Sequence, residues 1–179
     1  MPCGHYHIHV KALAFDWGHT IMDENHDREI PLDVRPIHLM PGVAEVLPHL
    51  AFPLALWANT RVAQESDLRA WLTRAGLGHL FPWVMTSIDA GARKPAPQFF
   101  EYALAQCGLA REDVLFIGNQ LNTDVAGGQA FGISTVWLSG AEYRSVDDTP
   151  ASCEPSPTYT IRTLHDLPAL LQRLHDRAP

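Results

Sequence analysis

The chain has 179 residues, 46% of them hydrophobic, and carries 13 Lys and Arg against 20 Asp and Glu, for a net charge of -7. That length supports one sizeable core rather than two, and an acidic balance without a basic run excludes the electrostatic footprint of a nucleic-acid binder or an anionic-membrane binder. The longest apolar stretches, such as Leu54 to Ala58 and Val114 to Ile117, fall far short of the roughly 20 residues of a bilayer-spanning helix.

Met1 to Val10 lacks the basic segment, apolar block and small-residue cleavage site of a secretory leader, so the protein is expected in the cytoplasm. His5, His7 and His9 alternate there and read as a frayed polar terminus rather than a metal site. Short apolar runs then alternate with amphipathic stretches. The runs are Val10 to Phe15, Leu54 to Ala58, Trp83 to Thr86, Val114 to Gly118 and Ser134 to Leu138. Val114 to Ile117 and Leu54 to Trp57, apolar almost continuously, predict strands covered on both faces. Between them, Val43, Val46, Leu47 and Leu50 follow Pro41-Gly42 at helical spacing. Leu68, Trp71, Leu72 and Ala75 repeat the pattern before Gly76. A further helix is predicted over Ala96 to Cys107, and one at the C-terminus carrying Leu164, Leu167, Leu170, Leu171 and Leu174.

Gly140 to Pro157, rich in Ser, Asp, Pro and Glu, reads as a long surface loop before a last strand near Tyr159. Cys3, Cys107 and Cys153 are odd in number and widely spaced, as expected of reduced thiols. The expected fold is α/β: a three-layer, Rossmann-like, doubly wound and mostly parallel sheet with helices on both faces. It forms a single domain over residues 1–179, with a core at about 10–138 and a C-terminal strand and helix at about 158–176.

Four segments carry candidate chemistry. Asp16, followed by Trp17-Gly18-His19-Thr20, places a carboxylate at the C-terminal end of a strand, where open α/β sheets bind ligands. Leu54 to Thr60 ends in Ala58-Asn59-Thr60, which on its own reads first as a strand-to-helix turn capped by Asn59 or Thr60 and otherwise as backbone donors and hydroxyls for an anion. Lys94 stands before Pro95-Ala96-Pro97 and offers a cation, or an ordinary surface lysine. Val114 to Gly128 runs from a strand into Asn119-Gln120-Leu121-Asn122-Thr123-Asp124, oxygen donors that suit Mg²⁺, although such turns also form without metal.

Taken in order and spacing, these segments resemble the four motifs of the haloacid-dehalogenase-like hydrolase superfamily, over about Val10 to Leu138. The resemblance implies that Asp16 is the nucleophile of a covalent aspartyl intermediate and that Lys94 is the accompanying cation. It also implies Asn59, Thr60 and Thr20 as substrate-binding residues. For phosphate chemistry, Mg²⁺ would be held by Asp16, the Gly18 carbonyl, Asn119 and Asp124. Three positions depart from the pattern. Gly18 replaces the second aspartate, the usual general acid/base, a loss worth about 10²- to 10⁴-fold in rate, and His19 is the candidate substitute. Ala58 stands where a Ser or Thr hydroxyl is usual, and Asn119 replaces an acid, which lowers the charge available to the metal.

The intervals from Asp16 to Asn59 and from Thr60 to Lys94 are too short for a second domain, so no separate cap is expected and the site should be open. An open site suits a phosphorylated small-molecule or macromolecular substrate, or closure by another copy in a homo-oligomer. The first reading is therefore a capless Mg²⁺-dependent phosphohydrolase, active first on acyl or aryl phosphates. The second is a catalytically impaired scaffold that binds a ligand without turnover, and the third is a halide-releasing hydrolase.

Overall fold

The computed structural model describes residues 10–27, 29–140 and 156–176. Six strands form one sheet: β1 (Ala12–Phe15), β2 (Leu54–Ala58), β3 (Trp83–Thr86), β4 (Val114–Gly118), β5 (Ser134–Leu138) and β6 (Tyr159–Ile161). Their order is β3-β2-β1-β4-β5-β6. Every pairing is parallel, where the sequence predicted a mostly parallel sheet. This is an α/β fold with a Rossmann-like core. The chain builds outward from β1 on one side, then returns to build from β1 on the other, so the reversal falls between β1 and β4.

Helices α1 (Val43–Val46), α2 (Glu65–Arg74), α3 (Pro97–Cys107), α4 (Ala126–Phe131) and α5 (Leu167–His175) connect or flank the strands. Alternate strand residues face opposite ways, and two apolar layers result. Leu13, Phe15, Leu54, Leu56, Leu115 and Ile117 pack with α1, α2 and α5 through Val43, Leu68, Trp71 and Leu167. On the other face, Ala14, Ala55, Trp57 and Phe116 pack against Phe99, Phe100 and Ala103 of α3. Both sides of β1, β2 and β4 are buried, as their continuous apolar runs require.

One expected element differs, and several expectations fall outside the described residues. The helix after Pro41-Gly42 lasts only from Val43 to Val46 before tightening into a 3-10 turn over Leu47–His49. Pro48 has no N–H to continue an α-helical ladder. The predicted loop over Gly140 to Pro157 lies mostly outside the described residues, as do His5, His7, His9, Cys3 and Cys153; Cys107 is a buried free thiol. Among the described residues no helix is long and apolar enough to cross a membrane.

Candidate active site

The C-terminal edges of β1 and β4 lie side by side, with Phe15 opposite Ile117. Asp16 follows at once, its N–H donating to the Ile117 carbonyl at 2.9 Å. Its carboxylate therefore emerges beside Gly118 and Asn119 at the strand-order reversal.

Lys94 reaches the same point from across the sheet. Its Nζ donates to Asp16 Oδ1 at 2.6 Å and to the Trp57 carbonyl at 2.7 Å, and it pairs with Asp124 Oδ1 at 2.8 Å. Three N–H bonds thus have three acceptors, and the lysine side chain is wholly buried. The Phe116 ring lies 5.0 Å below the ammonium and adds a cation–π contact. The lysine backbone is fixed as well. Asn59 clamps it from both sides, donating from Nδ2 to the Lys94 carbonyl and accepting the Lys94 N–H at Oδ1, each at 2.9 Å.

Asp124 belongs to a wide π-helical turn, Leu121–Val125, that leads into α4. Its Oδ2 accepts the Gln120 N–H at 3.1 Å, and its Oδ1 faces Lys94. Gly118 makes room for it, since a Cβ there would lie 2.5 Å from Asp124 Oδ2. Gly127 acts similarly one turn on, where a Cβ would meet Pro95 at 2.8 Å and push α4 away from the Lys94-Pro95 segment.

Two buried carboxylates thus share one ammonium. Burial, then repulsion by Asp124, pushes the Asp16 carboxyl up from its ordinary 3.8 to about 7, against the opposing pull of Lys94 and a backbone hydrogen bond from Trp17. For Lys94, burial acts to lower the pKa, but attraction to Asp124 and Asp16 outweighs it and the ammonium is held above its ordinary range. A small cavity of about 50 Å³ opens onto this cluster, lined by Asp16, Trp17, Gly18, Glu24, Asn59, Lys94, Gln120 and Thr123.

The structure thus brings Asp16, Gly18, Asn59 and Lys94 to one cavity, with Asp124 and Asn119 packed behind them. Other sequence candidates are placed elsewhere. Thr60 is engaged away from the cavity, its hydroxyl donating to the Ala63 carbonyl and its N–H to Ser87 Oγ. His19, with a left-handed φ of 56°, is 2% exposed and does not line the cavity. Thr20 is fully buried, with its hydroxyl 3.4 Å from Asn119 Oδ1. Ala58 is likewise buried in the core. Asn119 has a buried Nδ2 with no acceptor among the described residues, while its carbonyl accepts the Trp137 indole N–H.

Of the lining residues, sequence reasoning missed Glu24 altogether and assigned no role to Trp17, Gln120 or Thr123. Glu24 has no local signal, whereas Gln120 and Thr123 lie within the fourth segment, between the two residues, Asn119 and Asp124, that its resemblance singles out.

The HAD-hydrolase-like family model matches residues 91–167. Pyrimidine 5'-nucleotidase YjjG of Escherichia coli (strain K12) is 37% identical over 101 residues, covering 56% of this chain and 42% of its own. Glyceraldehyde 3-phosphate phosphatase of Methanocaldococcus jannaschii is 29% identical over 109 residues, covering 60% of this chain and 46% of its own. The chain spans about half the length of the curated relatives it matches. A magnesium-bound structure of YfnB from Bacillus subtilis shares the fold, with a TM-score of 0.71 at 21% identity over 90% of this chain and 98% of that one. The sequence relatives, the family model and the shared fold agree, and the chain belongs to the haloacid-dehalogenase-like hydrolase superfamily.

Proposed function

We propose that this chain is a phosphohydrolase that transfers a phosphoryl group from a small phosphorylated substrate to Asp16 and then to water. The observation that carries the reading is the buried Asp16–Lys94–Asp124 cluster at the strand-order reversal. Asp16 is placed to attack, and Lys94, locked by three acceptors, supplies a fixed positive charge for a developing anion. Asp124 and Asn59 hold that lysine in place, one through its ammonium and the other through its backbone. Names among the relatives, a nucleotidase and a sugar-phosphate phosphatase, support phosphate monoesters of small molecules as the substrate class.

The donor chemistry fits Mg²⁺. Two carboxylates face one ammonium, which leaves a negative balance, and burial has already pushed the Asp16 pKa upward for want of positive charge. Asp16, the Gly18 carbonyl and the Asn119 amide oxygen would hold the cation, an all-oxygen set with the hardness Mg²⁺ prefers. Asp124, engaged by Lys94 and the Gln120 N–H, supports the set. When bound, Mg²⁺ offsets negative charge on the phosphoryl group. In this reading the site is capless: among the described residues between β1 and α1 there are turns and two isolated bridges, Gly18 with Met22 and Met22 with Leu39.

A second reading, a binding scaffold without turnover, is favoured by Ala58, which brings no hydroxyl, and by the turning away of Thr60. Phosphate release from acetyl phosphate and p-nitrophenol release from its phosphate, with and without Mg²⁺, separate the two. Metal-dependent turnover that disappears in Asp16→Asn is expected. Equal background rates for both proteins would sink the phosphohydrolase reading and leave the scaffold.

A further inference from the structure

Three ionisable side chains line the cavity: Asp16, Lys94 and Glu24. In the proposed reaction Asp16 is consumed as nucleophile, and every N–H of the Lys94 ammonium already has an acceptor. Proton transfer to and from the reacting oxygens falls to the remaining group.

The fold brings Glu24 there by a tight reversal. The Trp17 carbonyl accepts the N–H groups of Ile21 and Met22, at 2.9 and 3.0 Å, and Met22 bridges back to Gly18. Trp17 packs edge-on against Trp71 of α2, and Ile21 and Met22 are fully buried, so the reversal is anchored in the core. Asp23 then donates its N–H to the His38 carbonyl and Met40 to the Ile21 carbonyl, pinning the segment that carries Glu24.

The half-buried Glu24 lies directly over Gly18. A Cβ on Gly18 would lie 2.7 Å from Glu24 Oε2, 2.9 Å from Cδ and 3.2 Å from Oε1. These approaches are too close for any side chain on residue 18 to be built without moving Glu24. The Glu24 carboxylate therefore stands against residue 18 on the wall of the same cavity, in space that a side chain there would need.

We infer that Glu24 is the general acid and base of this site, supplying from six residues downstream the carboxylate that Gly18 lacks. The inference rests on the phosphohydrolase reading. In the first step a P–O bond forms to Asp16, the bond to the substrate oxygen breaks, and the Glu24 carboxylic acid gives its proton to that oxygen, releasing an alcohol. In the second, Glu24 as carboxylate takes a proton from water while the water oxygen bonds to phosphorus. The Asp16–phosphorus bond breaks, phosphate leaves, and both side chains return to their starting states.

The test compares wild type, Glu24→Gln, Glu24→Ala and the double variant Gly18→Asp/Glu24→Ala. In Glu24→Gln, kcat/KM for glycerol 2-phosphate should fall about 10²-fold or more, the span of general acid catalysis. For acetyl and p-nitrophenyl phosphates, whose leaving groups need no proton, the loss should be less than about tenfold. Radiolabelled acetyl phosphate should leave acid-trapped label on Glu24→Gln, because hydrolysis of the Asp16 phosphate has lost its base. The double variant should recover activity lost in Glu24→Ala, since aspartate at 18 refills the vacated space.

Unchanged glycerol 2-phosphate turnover in Glu24→Gln, with a wild type that still depends on Asp16, would overturn the role of Glu24 and leave the phosphohydrolase reading standing. So would a uniform loss on all substrates that parallels weakened Mg²⁺ binding by calorimetry, because Glu24 would then be a cation ligand. A wild type with no turnover on any of these substrates would overturn both.

Discussion

The two sides of the cavity are built differently. On one side, Lys94, Asp124 and Asn59 lock together through short charged and backbone bonds, with Lys94 wholly buried. On the other, the reversal after Asp16 carries a glycine at 18, a buried histidine at 19 and a half-buried glutamate arriving from position 24. The first side is held by charge, so removing one member leaves a buried ion without its partner. The second is held by apolar anchors, Trp17, Ile21 and Met22, so its polar residues can change while the loop keeps its path. Electrostatic damage should therefore be severe on the first side and mild on the second.

The largest expected effect breaks the charged side outright. Lys94→Met leaves Asp16 and Asp124 buried and facing each other, and a buried pair that loses one partner costs about 3–5 kcal/mol. Urea unfolding should show a loss of that order, and activity should drop beyond detection. Adding Asp16→Asn should return part of the stability, because a single carboxylate then remains; if it returned none, packing rather than charge would hold this side. Gly118→Ala comes next. Its methyl would need the space of the Asp124 carboxylate, so about 2 kcal/mol of stability, within the range for overpacking, and most of the activity should be lost with no charge removed.

The same division decided what could be read from sequence. The strand runs were legible because a strand buried on both faces is rich in apolar residues; Asp16 was legible because it sits just beyond such a run, Lys94 because it precedes a proline-led helix, and Asp124 because it closes the oxygen-rich segment after β4. Pro48 cut a helix that the spacing of Val43, Val46 and Leu47 had extended, a case of one missing N–H outweighing apolar periodicity. Asn59 was visible as a polar residue after β2, but only tertiary structure shows that both ends of its amide grip the Lys94 backbone. Glu24 was illegible because its meeting with Gly18 depends on a chain reversal, which no spacing rule specifies.

A smaller effect measures how strained the charged side is without metal. Folded Asp16 titrates near 7 and unfolded Asp near 3.8, so between these values the folded state holds a proton that the unfolded state has released. Stability from this group is therefore present at low pH and is lost as pH rises from about 4 through about 7. In metal-free protein, Asp16→Asn should raise the thermal midpoint over wild type at pH 8 and much less at pH 5, a difference of about 5 °C for a chain of this size. Parallel pH profiles for the two proteins would show that Asp16 is not held near 7.

The smallest effect tests whether the site's charge balance limits cation binding. Asn119 lies 7% exposed behind the cavity, with its Oδ1 near the Thr20 hydroxyl and its Nδ2 without an acceptor among the described residues. Asn119→Asp exchanges that unsatisfied donor for an acceptor and adds one negative charge of nearly the same shape. Ligand charge is one of the terms that set cation affinity, so Mg²⁺ should bind about tenfold more tightly by calorimetry. The same added charge lies beside Asp16, so without Mg²⁺ the variant should be less stable than wild type at pH 8 and regain that loss on adding the cation. Tighter binding with no change in metal-free stability would mean that position 119 touches the cation without sharing the electrostatics of Asp16. No tightening at all would place the cation beyond the reach of residue 119 and narrow its ligands to the β1 side of the cavity.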